Sequence, residues 1–452
     1  MTFKNLRTLG PILVFVATLS ILTPQKSTAA VTLLDQNEWK VMLGGFAETD
    51  IISDSVRSLT EVSGSTAIDR PGTYAGDNGR TQFSVRNSRF AFTVLPPLQN
   101  DWKTKGYLEF DLLGYDPSPS TSAPTNSEAS FFTNPSLRVR HAYLSAETGS
   151  LQILVGQSWS LLGWEPSYVL SSVSVAPVTG TLYQRTPQAL FIYSAALNDT
   201  DKLQFGLSFE RPTERDSDYP NVDAGIRYVM GSRRSGFSAA TGEIGAEPLS
   251  VAASGSYRSF LTPNSDGVTT DASRYYGGAV ALNALVPILA SSDGKDTSNT
   301  LTATGEYTAG SGYSDSFPSF TGNLAQLANG TTTPTMPNLD AGLASFDTSG
   351  NFQLIRLQSW NAQAQYHLPQ GWNSFVTAGY GQLYSLNMIN FTANTPTGKV
   401  LYDRSDDAFI NLFHDFTKQL RVGLELDRMS THYVDGVMAY DNRYQVSAWL
   451  RF

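Results

Sequence analysis

The last ten residues of the chain alternate strictly between apolar and polar positions. The positions of one parity are Tyr444, Val446, Ala448, Leu450 and Phe452. The positions of the other parity are Arg443, Gln445, Ser447, Trp449 and Arg451. Successive side chains of a β-strand point to opposite faces, so the pattern predicts a strand with one apolar and one polar face. Such a strand suits the boundary between an apolar medium and water.

A terminal strand of this kind resembles the closing strand of bacterial outer-membrane β-barrels, which end on phenylalanine. The resemblance implies that the barrel assembly machinery recognises Phe452. An edge strand of a soluble β-sandwich that happens to end there would show the same alternation. The rest of the chain therefore has to distinguish between the two structures.

Residues 1–30 have the features of a secretory signal peptide. Lys4 and Arg7 precede an apolar run over 12–22, and small residues up to Ala29 and Ala30 suit cleavage after either one. The apolar run is too short to span a bilayer comfortably as a helix, although a retained anchor is the alternative. We expect residues 31–39 to form a short periplasmic segment before the barrel.

Composition restricts the remaining classes of protein. After residue 30 there is no run of 18 apolar residues, so an exported chain of this size is either soluble or crosses a membrane with strands. The 37 Gly, 21 Tyr, 24 Phe and 7 Trp fit a barrel with aromatic girdles. The lack of cysteine excludes disulfides and thiolate sites. A net charge of -9 disfavours nucleic acid as a partner.

About 16 segments are predicted to be strands. They cover residues 40–49, 80–94, 102–115, 136–147, 151–157, 185–197, 203–210, 222–230, 237–257, 274–286, 300–308, 354–368, 373–385, 407–416, 420–429 and 443–452. Residues 237–257 fit one bulged strand or two short ones. If they form one strand, short connections, among them 231–235, alternate with long ones, as in porin-type barrels. The predicted fold is therefore an all-β, transmembrane, antiparallel up-and-down barrel over 40–452, with short periplasmic turns and long outer loops.

Arginines recur on neighbouring predicted strands. The candidate pore-lining set contains these basic residues and two acidic neighbours: Arg86, Arg89, Arg138, Arg140, Arg185, Glu109 and Asp111. The apolar parity changes between Phe83 and Phe90, which predicts a bulge near Asn87 that turns both flanking arginines inward. An inward direction is favoured because arginine on the lipid face costs about 2–4 kcal/mol near the bilayer midplane.

Two roles are open for these arginines. They form a basic strip that attracts carboxylate or phosphate groups, for which the planar guanidinium is well suited. Alternatively, they pair with Glu109 and Asp111 in a neutral network that fills space along the wall.

The connection over residues 158–184 is unusually apolar for a loop. Its candidate constriction residues are Trp159, Trp164, Glu165 and Tyr168. We expect this segment to fold into the barrel and to narrow the pore. Burial at a subunit interface would equally explain the apolar residues, and both roles are compatible.

Other functional classes have weaker support. The four histidines are scattered and there is no Gly-x-Ser-x-Gly or His-Glu-x-x-His motif, so we expect no enzyme, cofactor or metal site. A structural or adhesive surface protein that acts through its loops is the alternative to a channel. Aspartates in these loops lack calcium-loop spacing and fit solvated tips that divalent cations bridge to lipopolysaccharide.

Four motifs resemble the DcaP-like porins of Gram-negative bacteria. In chain order they span Ser84–Phe90, Arg138–Tyr143, Gly156–Ser160 and Arg185–Gln188. The resemblance covers most of the barrel and is strongest between residues 80 and 195. It implies a homotrimeric channel in the outer membrane whose lumenal arginines favour small anionic solutes such as dicarboxylates. Members often carry a helical coiled coil before the barrel, for which Val31–Glu38 is too short.

Overall fold

The computed structural model describes most of the chain after the predicted signal peptide. The described residues are 30–98, 100–114, 136–164, 167–174, 178–213, 217–242, 244–263, 272–327, 339–394, 396 and 398–452. The predicted signal peptide, apart from Ala30, and Glu165 lie outside them. No helix in the described part is both long and apolar enough to cross a membrane.

The described residues form twenty strands and three short helical segments. The strands are β1 (Val31–Gln36), β2 (Trp39–Asp54), β3 (Arg80–Ser84), β4 (Arg89–Leu95), β5 (Lys103–Gly114), β6 (Ser136–Thr148), β7 (Leu151–Trp159), β8 (Arg185–Ala196), β9 (Asp201–Glu210), β10 (Asn221–Phe237), β11 (Gly245–Pro263), β12 (Ala272–Leu289), β13 (Leu301–Ser311), β14 (Ala344–Phe346), β15 (Phe352–Leu354), β16 (Arg356–His367), β17 (Ser374–Ser385), β18 (Tyr402–Asp415), β19 (Leu420–Tyr433) and β20 (Met438–Arg451). The helical segments are Tyr74–Asp77, Ser314–Ser316 and Met388–Asn394.

The strands close into one antiparallel barrel. Both β3 and β4 pair with β2, so they are two halves of a single wall strand. Closure occurs where β20 pairs with β19 on one side and with β2 on the other. Because β1 is an additional strand on β2 and β14–β15 is a separate hairpin, the wall has 16 strands, as predicted.

One predicted turn is wrong. Residues 231–235 do not reverse the chain, since β10 continues to Phe237 and the turn comprises residues 238–244. The pairing of β10 with β11 jumps from Met230 opposite Leu249 to Arg234 opposite Pro248, so the intervening residues bulge. Proline has no N–H to donate to the ladder, which favours a bulge there. The segment 237–257 begins with the last residue of β10 and the following turn and then contributes one strand, β11, so the predicted count is right while the predicted start is too early.

The wall has an apolar outer face and a polar inner face. On β9, Phe205, Leu207 and Phe209 are 40–45% exposed, whereas Ser208 and Glu210 are at most 2% exposed. The closing strand β20 repeats the pattern, with exposed Leu450 beside fully buried polar side chains. A soluble protein would show the reverse, so this arrangement fits lipid outside and water inside.

The connections alternate in length along the wall. Most short connections lie at one rim, here called the turn rim, whereas the longer connections and the short one over residues 434–437 lie at the opposite loop rim. The start of β2 and the end of β20 both lie at the turn rim because the strand number is even. The loops fold together inside the loop rim around a buried apolar cluster that includes Leu59, Leu162, Leu182 and Phe317.

An exposed ion pair joins two of the connections at the loop rim. Arg70 Nη2 lies 2.7 Å from Asp435 Oδ2. The hydrogen bond from Arg70 holds the pKa of the Asp435 carboxyl below its ordinary value. The long connection after β2 is thus tied to the short one before β20.

Candidate functional site: the basic wall of the lumen

The predicted bulge lies between β3 and β4. Residues 85–88 leave the ladder there, and Phe83 points outward with 66% of its surface exposed. Arg86 is buried and donates to Glu61 Oε1 at 3.2 Å, to Leu112 O at 3.2 Å and to Gly114 O at 3.2 Å. Arg86 therefore ties the connection after β2 to the wall.

Arg89 lies on the inner face of β4. Its Nε is 3.6 Å from Glu109 Oε1, and its guanidinium lies 5.1 Å from the centre of the Phe46 ring. Arg89 and Glu109 line a cavity of about 400 Å³, the turn-rim cavity, together with Tyr107, Lys418 and Arg451. Of the three basic side chains in this lining, Arg89 lies near Glu109, and Arg451 is paired with Asp415 at 3.2 Å.

The acidic neighbours on β5 bind two arginines of β6. Arg138 holds Asp111 with two hydrogen bonds of 3.0 and 2.6 Å. Arg140 donates to Glu109 at 2.6 Å and to Asp111 at 3.2 Å. The register between β5 and β6 shifts at this point, and Arg140 and His141 are consecutive buried residues. The bulge therefore directs two neighbouring side chains into the same inner region.

Arg185 differs from the other arginines in its surroundings. Within the described part of the chain it has no carboxylate partner, and its Nη1 is shielded from solvent without a hydrogen bond. Its guanidinium lies 4.8 Å from the Trp159 ring centre and 5.4 Å from the Tyr183 ring centre. Arg140 Nη2 donates to the Tyr183 hydroxyl at 3.3 Å and so joins Arg185 to the cluster.

The cluster carries an excess of positive charge. Arg89, Arg138, Arg140 and Arg185 contribute four positive charges, and Glu109 and Asp111 contribute two negative charges. The pairing that one of the two predicted roles requires is therefore present, but it is partial, and the cluster keeps a net positive charge.

The connection over residues 160–184, here called the inserted loop, reaches far across the barrel. Wall carboxylates accept hydrogen bonds from its backbone: Leu161 N to Glu210 (3.4 Å), Leu162 N to Asp223 (3.3 Å), Val173 N to Glu425 (2.8 Å) and Leu182 N to Glu306 (2.9 Å). These acceptors lie on β9, β10, β19 and β13. The loop therefore contacts the wall beyond β8 as far round as β19, close to the seam.

The predicted aromatic residues of this segment are placed as follows. Trp164 is 5% exposed and its Nε1 lies 3.5 Å from Ala253 O. Tyr168 is 2% exposed and donates to Ser250 Oγ at 3.0 Å. Trp159 ends β7 and packs against Tyr183. Burial inside the barrel therefore accounts for Trp164 and Tyr168.

Sequence reasoning missed the carboxylates that hold the inserted loop and the tyrosine beside the arginines. Glu210 has the polar parity of β9, but nothing in the sequence pattern indicates its partner. Tyr183 was hidden within a long connection, and only its position directly before Arg185 could have singled it out.

Comparisons with known proteins place the fold. No protein-family model and no curated protein matches the chain. Among solved structures, the outer membrane channel DcaP of Acinetobacter baumannii is similar at a TM-score of 0.62 and 17% identity, covering 95% of this chain and 100% of that one. An anion-selective porin from Comamonas acidovorans is similar at a TM-score of 0.50 and 12% identity, covering 92% and 100%. The predicted resemblance is thus confirmed for the fold, and the chain is a 16-stranded barrel with the fold of the DcaP channel.

Proposed function

We propose that the protein is an outer-membrane porin, a passive diffusion channel for small hydrophilic solutes that prefers anions such as dicarboxylates. The observation that carries this proposal is a closed barrel, apolar outside and polar inside, in which four arginines of β4, β6 and β8 meet the two carboxylates of β5 on one side of the inner wall. The name of the Comamonas porin, which describes it as anion-selective, supports the same preference for this fold. Such a protein would reach the outer membrane after cleavage of its signal peptide.

The inserted loop would narrow this channel from one side. Its backbone is held by carboxylates on β9, β10, β13 and β19, which leaves the arginine wall of β4, β6 and β8 facing it. Solutes would pass between the two, along the basic side chains. Positive charge at a narrow point attracts anions most strongly because screening is weakest at short range.

The same proposal implies which molecules contact the barrel and which parts of it face the periplasm. Lipid and lipopolysaccharide would contact the apolar outer face, and the assembly machinery would recognise Phe452 at the turn rim. The segment 31–39, which forms β1 and its turn into β2, would lie on the periplasmic side. We further propose a homotrimer, on the basis of the DcaP-like resemblance.

Replacing Arg138 or Arg185 with Gln is expected to lower the chloride-to-potassium permeability ratio roughly four- to fifteenfold for each change. One unit charge 5–10 Å from a permeating ion contributes about 0.4–0.8 kcal/mol in water, a factor of about two to four that favours chloride and disfavours potassium, so the ratio changes by the square of that factor. The measurement is the reversal potential of the purified protein in a planar bilayer under a potassium chloride gradient.

The matched control is Arg428→Gln. Arg428 lies on β19 with an exposed side chain that donates to Asn442 Oδ1 at 2.9 Å, away from the arginine wall, and its loss should leave the ratio unchanged. A channel that favours potassium would contradict the anion preference. A protein without conductance would contradict the channel itself and favour a structural or adhesive role for the loops.

A further inference from the structure

A row of aromatic rings follows the arginine cluster. Ring centres are separated by 6.1 Å from Tyr107 to His141, by 5.3 Å from His141 to Trp159 and by 4.6 Å from Trp159 to Tyr183. Tyr143 adds a branch 5.3 Å from Tyr107. The rings come from β5, β6, β7 and the end of the inserted loop, so the fold rather than the sequence brings them together.

The row connects two cavities. Tyr107 lines the turn-rim cavity, while Tyr183 and Arg185 line a second cavity of about 400 Å³ beside the loop rim. This second cavity, here called the loop-rim cavity, also has Arg211, Asp315 and Asp340 in its lining. Asp315 forms an ion pair with Arg258 and accepts a hydrogen bond from Gln184. Asp340 also has a partner.

Guanidinium groups accompany the rings along this row. Arg89 lies in the turn-rim cavity, Arg140 lies 6.0 Å from the Trp159 ring centre, and Arg185 lies beside both Trp159 and Tyr183. A guanidinium that uses its faces against aromatic rings keeps its N–H donors in the plane between them. Arg185 lies within 5.4 Å of two ring centres and retains an N–H group without a partner in the described residues.

We propose that this row is a binding track for carboxylates that carry an aromatic ring. The carboxylate pairs with the in-plane donors of Arg185, and the ring packs on Trp159 and Tyr183. An aliphatic carboxylate of the same charge gains the ionic contact alone. This inference rests on the proposed channel function and adds to it a preference among anions.

The test compares benzoate with cyclohexanecarboxylate as blockers of chloride current through the purified protein at neutral pH. The two anions share one charge and a six-membered carbon ring, and only benzoate is aromatic. Benzoate is expected to block at a concentration about two- to tenfold lower, the factor that aromatic contacts provide beyond buried area. This comparison needs no variant, so a folding defect cannot obscure it.

Variants then test whether Trp159 and Arg185 form the binding track. Trp159→Leu is expected to abolish the difference between the two blockers, while Trp372→Leu, in an exposed turn at the turn rim, preserves it. Arg185→Gln is expected to weaken both blockers about equally. Equal block by both anions in a wild-type channel that still selects chloride would overturn the track and leave the proposed function standing. A wild-type protein without conductance would overturn both.

Discussion

Replacing residues 161–183 with an Asn-Gly turn is expected to raise the single-channel conductance roughly two- to fivefold, because a 16-stranded barrel encloses an aqueous lumen that the inserted loop partly fills. The design follows from the ends of the loop. Ser160 N donates to Gln184 O at 3.0 Å, so the two ends already form an antiparallel pair. Asn-Gly is the sequence most often found in a two-residue connection of this kind.

The shortened protein should still fold as a barrel. The carboxylates that lose their loop partners, among them Glu306 and Glu425, would face water and so would not suffer the cost of a buried unpaired charge. Anion selectivity should fall as well, because ions in a wider lumen pass farther from the arginines than the screening length of about 8 Å.

Single-channel recording in planar bilayers measures this change, and migration of unheated and heated samples on gels verifies that the variant is folded. The matched control is Glu306→Gln, which retains an acceptor for Leu182 N and should leave the conductance unaltered. A folded loop-deleted protein with wild-type conductance would place the loop outside the conduction path.

Much of the wall could be predicted because its pattern is local. On β5, Leu108 and Glu109 differ by one position and lie on opposite faces, and the sequence alone assigns them to lipid and lumen. The same alternation of apolar and polar residues predicted the strands β9 and β20. The alternation of short and long connections then decided the strand number. It is preserved only if residues 237–257 contribute one strand and not two.

The partners of the inward side chains could not be predicted in the same way. Arg86 and Arg89 both point inward, yet Arg86 is tied to Glu61 of a connection whereas Arg89 lines a cavity. Which role each takes depends on the path of a loop more than twenty residues away. The bulge in β10 could not be predicted for a similar reason. It depends on Arg234 lying opposite Pro248, and that pairing is set by the register of two strands.

Replacing Arg443 with Ala is expected to destabilise the barrel by about 3–5 kcal/mol, the loss typical when one partner of a buried ion pair is removed. Arg443 Nε lies 2.7 Å from Asp54 Oδ1 and its Nη2 lies 3.1 Å from Asp54 Oδ2, with both side chains 0% exposed. The pair spans the seam between β2 and β20, where the barrel closes. Without the arginine, the buried Asp54 carboxyl would lose this partner and remain beside Asp441.

Equilibrium unfolding in denaturant, with the protein refolded into detergent, measures the free energy of unfolding. Arg428→Ala is the matched control on the exposed outer face of the barrel and should change that free energy by less than about 1 kcal/mol. Removing both partners, Asp54→Ala with Arg443→Ala, should cost less than Arg443→Ala alone, because the Asp54 carboxyl is then not left buried without its partner. If Arg443→Ala unfolds like Arg428→Ala, the ion pair does not stabilise the closure of the barrel, and the backbone ladder between β2 and β20 suffices to hold the seam.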